Sequence, residues 1–395
     1  ADGTIADVGD MAVLSLPMGE GIDCTGLTIT PGLINADTDI GLIGHPVVEM
    51  TRDANETTER ALPQLRALDG INPLDKAIPR VRAAGTTTVY ISPGEANLIS
   101  GQGAVIKLRR SPAVEDLVLQ APAGIHINLG EGPKSTWRGK GGPSTRMGTA
   151  AVIRQELTAA QNWIKNRDKR RREIEEYQDK VAKGEDKDKD GNPLKAPDPL
   201  DRDLKKEALA LLLDRTVPAI FSVHRQDDIL TALRIAQEFN LDAIILHGTA
   251  AWQVLPELQA AKVPVLVGPV RTDPSSMETL AARLDNAALL EEAGVPFAIQ
   301  TGDALGARAL AHEAAWAMAG GLPRREALLA ITRYPAEILG LGDRIGSLEP
   351  GKEADLVLWT ADPLAITAVA RYVLIEGRLV NDSEQLPAFI DAPGW

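Results

Sequence analysis

The stretch Pro31-Gly32-Leu33-Ile34-Asn35-Ala36-Asp37-Thr38-Asp39 decides how this chain reads. A Pro-Gly turn releases a short apolar run, and the run ends in two carboxylates separated by one threonine. A short, almost wholly apolar run bounded by turn residues reads as a strand covered on both faces. Asp37 and Asp39 alternate across Thr38, so both project to one side. Two buried, unpaired carboxylates are costly, which points to a cation beside them.

The same kind of run recurs downstream at 87–92, 104–108, 125–129, 219–224, 243–247, 263–268 and 297–301. Three-to-four apolar spacing over 229–239, 276–292 and 308–319 predicts helices in the intervals. Eight covered strands alternating with helices predict an α/β fold, a (β/α)8 TIM barrel over 31–342 with a parallel sheet. An open doubly wound sheet is the runner-up, but no G-x-G-x-x-G follows the first strand. The chain ends read differently. Residues 1–30 and 343–395 carry short strands and tight turns, and predict one small β-sandwich built from both ends. Residues 149–213 break the barrel rhythm. Two helical patterns flank a charged tip, which predicts an inserted helical hairpin. The tip Asp186-x-Asp188-x-Asp190-Gly191 opens like a calcium loop, yet Pro197 stands where the bidentate Glu belongs. It reads as a charged tip.

The 395 residues carry 42 Lys and Arg against 55 Asp and Glu, a net charge of −13. That disfavours nucleic acid and anionic membrane surfaces as partners. No apolar run is long enough to span a bilayer. Cys24 is alone, which excludes an intrachain disulfide framework and a cysteine-based zinc cluster. The chain opens Ala-Asp-Gly-Thr without a basic or apolar leader pattern. A cytoplasmic setting is expected, or a periplasmic or secreted one if the N-terminus is processed. Five histidines occur, His45, His126, His224, His247 and His312. Any metal site must therefore combine few imidazoles with carboxylates.

In a parallel barrel, chemistry gathers where strands end. Asp37 and Asp39 end the first strand, and Glu131 follows 125–129. His224 and His247 end the next two, and Asp303 follows the last. Imidazole and carboxylate together suit a divalent ion, and Asp303 is placed to take a proton from water. Each has a bland alternative. A strand-terminal histidine can be a hydrogen-bonded structural residue, and Asp303 can cap the following helix. His45 sits in a loop, His126 mid-strand as a core or lining residue, and His312 within a helix. Lys134 and Arg146, in a glycine-rich segment, read as substrate-binding or as parts of a mobile loop.

These residues carry a likeness. The chain resembles the amidohydrolase superfamily, most closely its imidazolonepropionase-like branch. The likeness lies in residues 2–9, in the strand at 31–39, in 327–340 and above all in Ile345-Gly346-Ser347-Leu348-Glu349-Pro350-Gly351-Lys352-Glu353-Ala354-Asp355-Leu356-Val357. It implies a metal-dependent hydrolase of C–N bonds in small amides, cyclic amides or dipeptide-like molecules. It also implies a homo-oligomer with a small-molecule substrate. His224, His247 and Asp303 match the family's two later histidines and its strand-8 aspartate, although Gly302 intervenes before Asp303. The family's first pair of histidines is replaced by Asp37 and Asp39. Relatives similar to N-acetylglucosamine-6-phosphate deacetylase lack that pair and keep one metal. By that likeness Glu131, His224 and His247 hold one zinc, with iron or manganese as alternatives. His247 and Asp303 are the catalytic residues, and Asp37 and Asp39 are further candidate ligands. Lys107, which could stand for the bridging lysine of other branches, lies one strand too early. Rival readings are a degenerate, non-catalytic member that binds a small molecule or a partner, and a carbohydrate deacetylase. Aromatic residues at 4% of the chain disfavour a sugar-stacking platform.

Overall fold

The computed structural model describes residues 2–10, 21–185, 187, 192–199 and 201–383. Its strands are β1 (Thr28–Pro31), β2 (Leu33–Thr38), β3 (Thr86–Ile91), β4 (Ile99–Lys107), β5 (Val118–Asn128) and β6 (Ala219–Val223). They continue with β7 (Ala243–His247), β8 (Val265–Val267), β9 (Phe297–Ile299), β10 (Leu356–Trp359), β11 (Ala370–Ile375) and β12 (Arg378–Asp382). The helices are α1 (Ala77–Ala83), α2 (Glu131–Trp137), α3 (Arg146–Ala182), α4 (Leu204–Leu213) and α5 (Gln226–Phe239). After them come α6 (Leu255–Ala261), α7 (Asn286–Glu292), α8 (Leu310–Ala319), α9 (Arg324–Leu329) and α10 (Arg333–Ile338).

Strands β2 to β9 form one eight-stranded sheet in chain order. The sheet curls into a nearly closed α/β barrel. Alternate side chains fill its interior, among them Ile34, Tyr90, Val105, Ile220, Ile244, Leu266 and Ala298. The opposite set, including Leu33, Val89, Ile106, Ile125, Phe221 and Ile245, packs outward under the helices. At the seam a side chain does the work of a ladder. Asn35 Nδ2 donates to Thr301 Oγ1 at 2.7 Å, and its Oδ1 accepts the Thr301 N–H at 3.2 Å.

The eight barrel strands fall where the apolar runs predict them, with one correction. The sheet is not all parallel, because β4 runs antiparallel to both β3 and β5. The physical reason lies in the connections. Residues 92–98 and 108–117 contain no α-helix, and a parallel crossover needs about a dozen residues or more, usually with a helix. A second correction falls on 276–292. Only Asn286–Glu292 is helical, and the earlier part is an irregular segment after β8.

The chain ends meet in a four-stranded antiparallel sheet, β1-β10-β11-β12. The Ile5 N–H donates to Lys352 O and the Gly351 N–H to Ile5 O, both at 2.8 Å. Lys107 is fully buried where this sheet meets the barrel. Its Nζ faces Asp355 at 3.0 Å, Glu376 at 3.4 Å and Glu353. Lys107 is therefore a tie between two sheets, far from a bridging role at the mouth. In the insertion, α3 buries Thr149, Ala150, Ile153, Leu157 and Ala160, all in its first half, and α4 packs beside it. Its charged tip, with Asp186, Asp188 and Asp190, lies outside the described residues. No helix among the described residues is long and apolar enough to cross a membrane.

Candidate metal centre

The mouth of the barrel gathers the ends of β3, β6 and β7. His247 closes β7 with a positive φ of 70°, a conformation that costs a non-glycine residue energy and persists where its surroundings impose it. Its Nδ1 lies 3.2 Å from the Gly268 carbonyl, which leaves Nε2 to face the mouth. His224 follows β6, and its Nδ1 lies 2.8 Å from Thr249 Oγ1. The two imidazoles stack with centroids 4.5 Å apart and planes 8° apart. Their outer contacts fix ring orientation, as supporting contacts do for ligating histidines.

The third member is Glu95, which follows β3. Its Oε1 lies 2.5 Å from His247 Nε2 and accepts the Ser222 hydroxyl at 2.5 Å. The loop that presents it is tightly held. The Gly94 N–H donates to Ala54 O at 2.7 Å, the Ala96 N–H to Asn55 Oδ1 at 2.9 Å, and Trp137 Nε1 to Ala96 O at 3.1 Å. Glu95, His224 and His247 offer ligand atoms within 4.8 Å of one another. They are the one such set of His, Cys, Asp or Glu residues found among the described residues. Two imidazoles and one carboxylate are a donor set that catalytic zinc takes.

Electrostatics bind this group together. Burial depresses the His247 imidazolium, but the charge of Glu95, its hydrogen bond and the charge of Asp37 outweigh burial and raise it. Glu95 is the mirror case. Desolvation pushes it up, and the His247 charge, its hydrogen bond and the His224 charge hold it below the usual carboxylate range. Burial lowers His224 to about 4, with the His247 charge adding to the effect, so its ring is neutral near pH 7.

The structure brings His224 and His247 together and joins Glu95 to them. Glu131, expected as the third ligand, is outside this set. It opens α2, and its N–H donates to Glu278 Oε1 at 2.6 Å. Asp37 and Asp39 are also outside the set. Asp37 is buried, its Oδ1 lacks a hydrogen-bond partner, and burial raises it to about 7 against the pull of His247. Burial raises Asp39 to about 6, while the Ala304 N–H, donating at 2.6 Å, pulls it back. The Asp303 charge pushes it further up. Asp303 Oδ1 accepts the Gly306 N–H at 2.5 Å, so the carboxylate also caps the next turn. Lys134 and Arg146 line a groove between α2, α3 and α5 with Asp227, which pairs with Arg146. His126 is buried against Tyr90 Oη at 2.8 Å, and burial lowers it to about 3. His45 lies against Asp75, and His312 sits on α8.

Sequence reasoning passed over Glu95, although a signal existed. The run at 87–92 is followed at once by Pro93-Gly94-Glu95. The strand-end logic that selects Glu131 applies there equally.

The amidohydrolase family model matches residues 74–380. The chain belongs to the amidohydrolase family, and this membership supports hydrolase activity. It is 25% identical over 376 residues to amidohydrolase tasK of Hapsidospora irregularis, covering 90% of this chain and 36% of that protein. It therefore spans about a third of that relative's length. Over 44 residues it is 46% identical to an imidazolonepropionase of Acidiphilium cryptum (strain JF-5), 11% of each chain. Among solved structures it is similar to an amidohydrolase from Thermotoga maritima MSB8. The TM-score is 0.87 at 38% identity, covering 97% of this chain and 94% of that one.

Proposed function

We propose that this chain is a metal-dependent hydrolase of C–N bonds in small amides, cyclic amides or dipeptide-like molecules. Glu95, His224 and His247 would hold one divalent ion, with zinc favoured by the donor set and iron or manganese as alternatives. The observation that carries this reading is the convergence of three ligand atoms within 4.8 Å at the barrel mouth. The contacts of His224 to Thr249 and of His247 to Gly268 support it. The unpartnered, buried Asp37 Oδ1 beside His247 also favours positive charge there.

A divalent ion in such a site acts as a Lewis acid and makes water a stronger nucleophile. The residues of the chain do the rest. Asp303 takes the proton of the attacking water and delivers it to the leaving nitrogen as the C–N bond breaks. Its tie to Gly306 holds the carboxylate in one orientation for both transfers. The ring of His224 is neutral near pH 7, so a nitrogen lone pair stays free for a metal ion rather than taken up by a proton.

Elemental analysis of chain purified without chelator, after growth in metal-replete medium, tests the reading. About one equivalent of zinc, iron or manganese is expected. Hydrolysis in a panel of N-acyl amino acids, dipeptides and cyclic amides should be lost on chelation and regained with metal. A chain free of metal and inert towards the whole panel overturns it.

A further inference from the structure

A second group of carboxylates meets at the edge of the same mouth. Gly130, with φ of +98°, lies between β5 and α2. A Cβ there would collide with Glu278 Oε1 and come within 4 Å of Asp228 Oδ2. Two carboxylates from separate segments thus lie close together against the backbone of Gly130. Asp228 belongs to the first turn of α5, just past His224, and Glu278 to the segment after β8.

Asp228 is 3% exposed, and its Oδ2 has no hydrogen-bond partner. Its Oδ1 lies 3.6 Å from Arg146 Nη1, and Oδ2 is left without a hydrogen bond. Glu278 Oε1 is shared with the Glu131 N–H at 2.6 Å. The charges acting on the pair are the carboxylates of Glu131, Glu95 and Asp227, opposed by Arg146 and Arg225. A buried carboxylate oxygen without a donor is costly, and a cationic donor relieves it.

We propose that Asp228 and Glu278 form a subsite for the free ammonium group of the substrate, beside Glu95, His224 and His247. The inference rests on the mouth being a hydrolytic site and narrows its substrate to ammonium-bearing amides. Ammonium fits better than the alternatives. It is a compact charge with three donors that reach several single oxygens at once. A guanidinium seeks a carboxylate presented edge-on with two free oxygens, and here Glu278 Oε1 is already engaged. A metal ion needs clustered ligands. Among the described residues Asp228, Glu278 and Glu131 do not form a set whose oxygens lie within 4.8 Å of one another.

The test uses the full, metal-replete chain with dipeptides and aminoacyl anilides, each paired with its N-acetylated form. The free-ammonium member is expected to show at least tenfold higher kcat/KM. That ratio should fall towards one in Asp228→Asn/Glu278→Gln and part of the way in Glu278→Gln alone. Near-ultraviolet circular dichroism and retained metal would show that the variants fold. A ratio unchanged by the substitutions, or near one in the native chain, overturns the subsite. If no pair is hydrolysed, and the chain purifies free of metal and is also inert towards the N-acyl amino acids and cyclic amides, the hydrolytic reading fails. Calorimetry with n-butylammonium against n-butanol then decides the subsite separately. Saturable binding of the amine, weakened at least tenfold in the double variant, supports it. No binding, or a second manganese equivalent that the double variant loses, overturns it.

Discussion

Glu95 Oε1 lies 2.5 Å from His247 Nε2, joining residues that are 152 positions apart in the chain. The contact couples the end of β3 to the end of β7 across the barrel mouth. It makes Glu95, rather than Glu131, the carboxylate that stands with the two histidines.

Glu95→Gln should therefore strip the site while Glu131→Gln leaves it intact. Loss of a supporting contact alone weakens metal by about 10–100-fold, and loss of a ligand should cost at least that. Metal content after dialysis checks both variants. A Glu131→Gln chain that loses its metal while Glu95→Gln keeps it would sink this assignment.

Thr249→Val addresses ring orientation. Thr249 Oγ1 lies 2.8 Å from His224 Nδ1. Its removal frees the ring and should weaken metal about 10–100-fold with little change in stability. Competition with a chelating dye measures the affinity. An unaltered affinity means that Thr249 does not orient the ring.

Asp303→Asn should keep the metal and lower kcat. Removing a proton-transfer group costs about 10²–10⁴-fold. Side-by-side measurement of turnover and metal content separates this from loss of the site. Full activity in the variant excludes Asp303 as the base.

A pH dependence follows from Glu313. Its carboxyl is buried and accepts the Val270 N–H, and burial raises it to about 7 from 4.5. Between those values the folded chain holds a proton that the unfolded chain has released. Stability therefore falls as pH rises from about 4.5, and the loss is complete above about 7. It amounts to about 3.5 kcal/mol at most, at about 1.4 kcal/mol for each tenfold difference in proton affinity. Glu313→Gln removes this slope. Urea unfolding at pH 5 and pH 8 should show the native chain losing ground to the variant. A difference that does not change with pH contradicts the expectation.

Lys107→Met tests the tie between barrel and terminal sheet. The substitution leaves the buried Asp355 without its lysine, while the half-buried Glu353 keeps Arg344 at 2.6 Å. Removing one partner of a buried ion pair costs about 3–5 kcal/mol. Equilibrium unfolding reads this directly. A loss under about 1 kcal/mol means that the carboxylates find other partners or protonate freely.

Much of the fold was legible because burial leaves a local mark. The eight barrel strands appear as apolar runs, since a strand covered on both faces has no polar side to show. Strand direction leaves a weaker mark. The reversal of β4 was written only in the short connections at 92–98 and 108–117, and its apolar run looks like its parallel neighbours. The segment 276–285 carried helical spacing but is drawn across the mouth, where Glu278 meets the backbone of Glu131. Local propensity yielded there to a long-range hydrogen bond.

The sequence by itself determined the barrel strands, the pairing of the two chain ends and the two histidines at strand ends. These follow from burial patterns and from motifs that are contiguous in the chain. Only the tertiary structure decided which carboxylate completes the group. Glu95 and Glu131 both follow apolar strands, and nothing local separates them. The Glu95 loop is clamped by Ala54, Asn55 and Trp137 so that its carboxylate meets His247. Glu131 opens a helix whose backbone is engaged by Glu278. Which side chain reaches the histidines is set by contacts among segments distant in the chain, and no spacing along one segment encodes them.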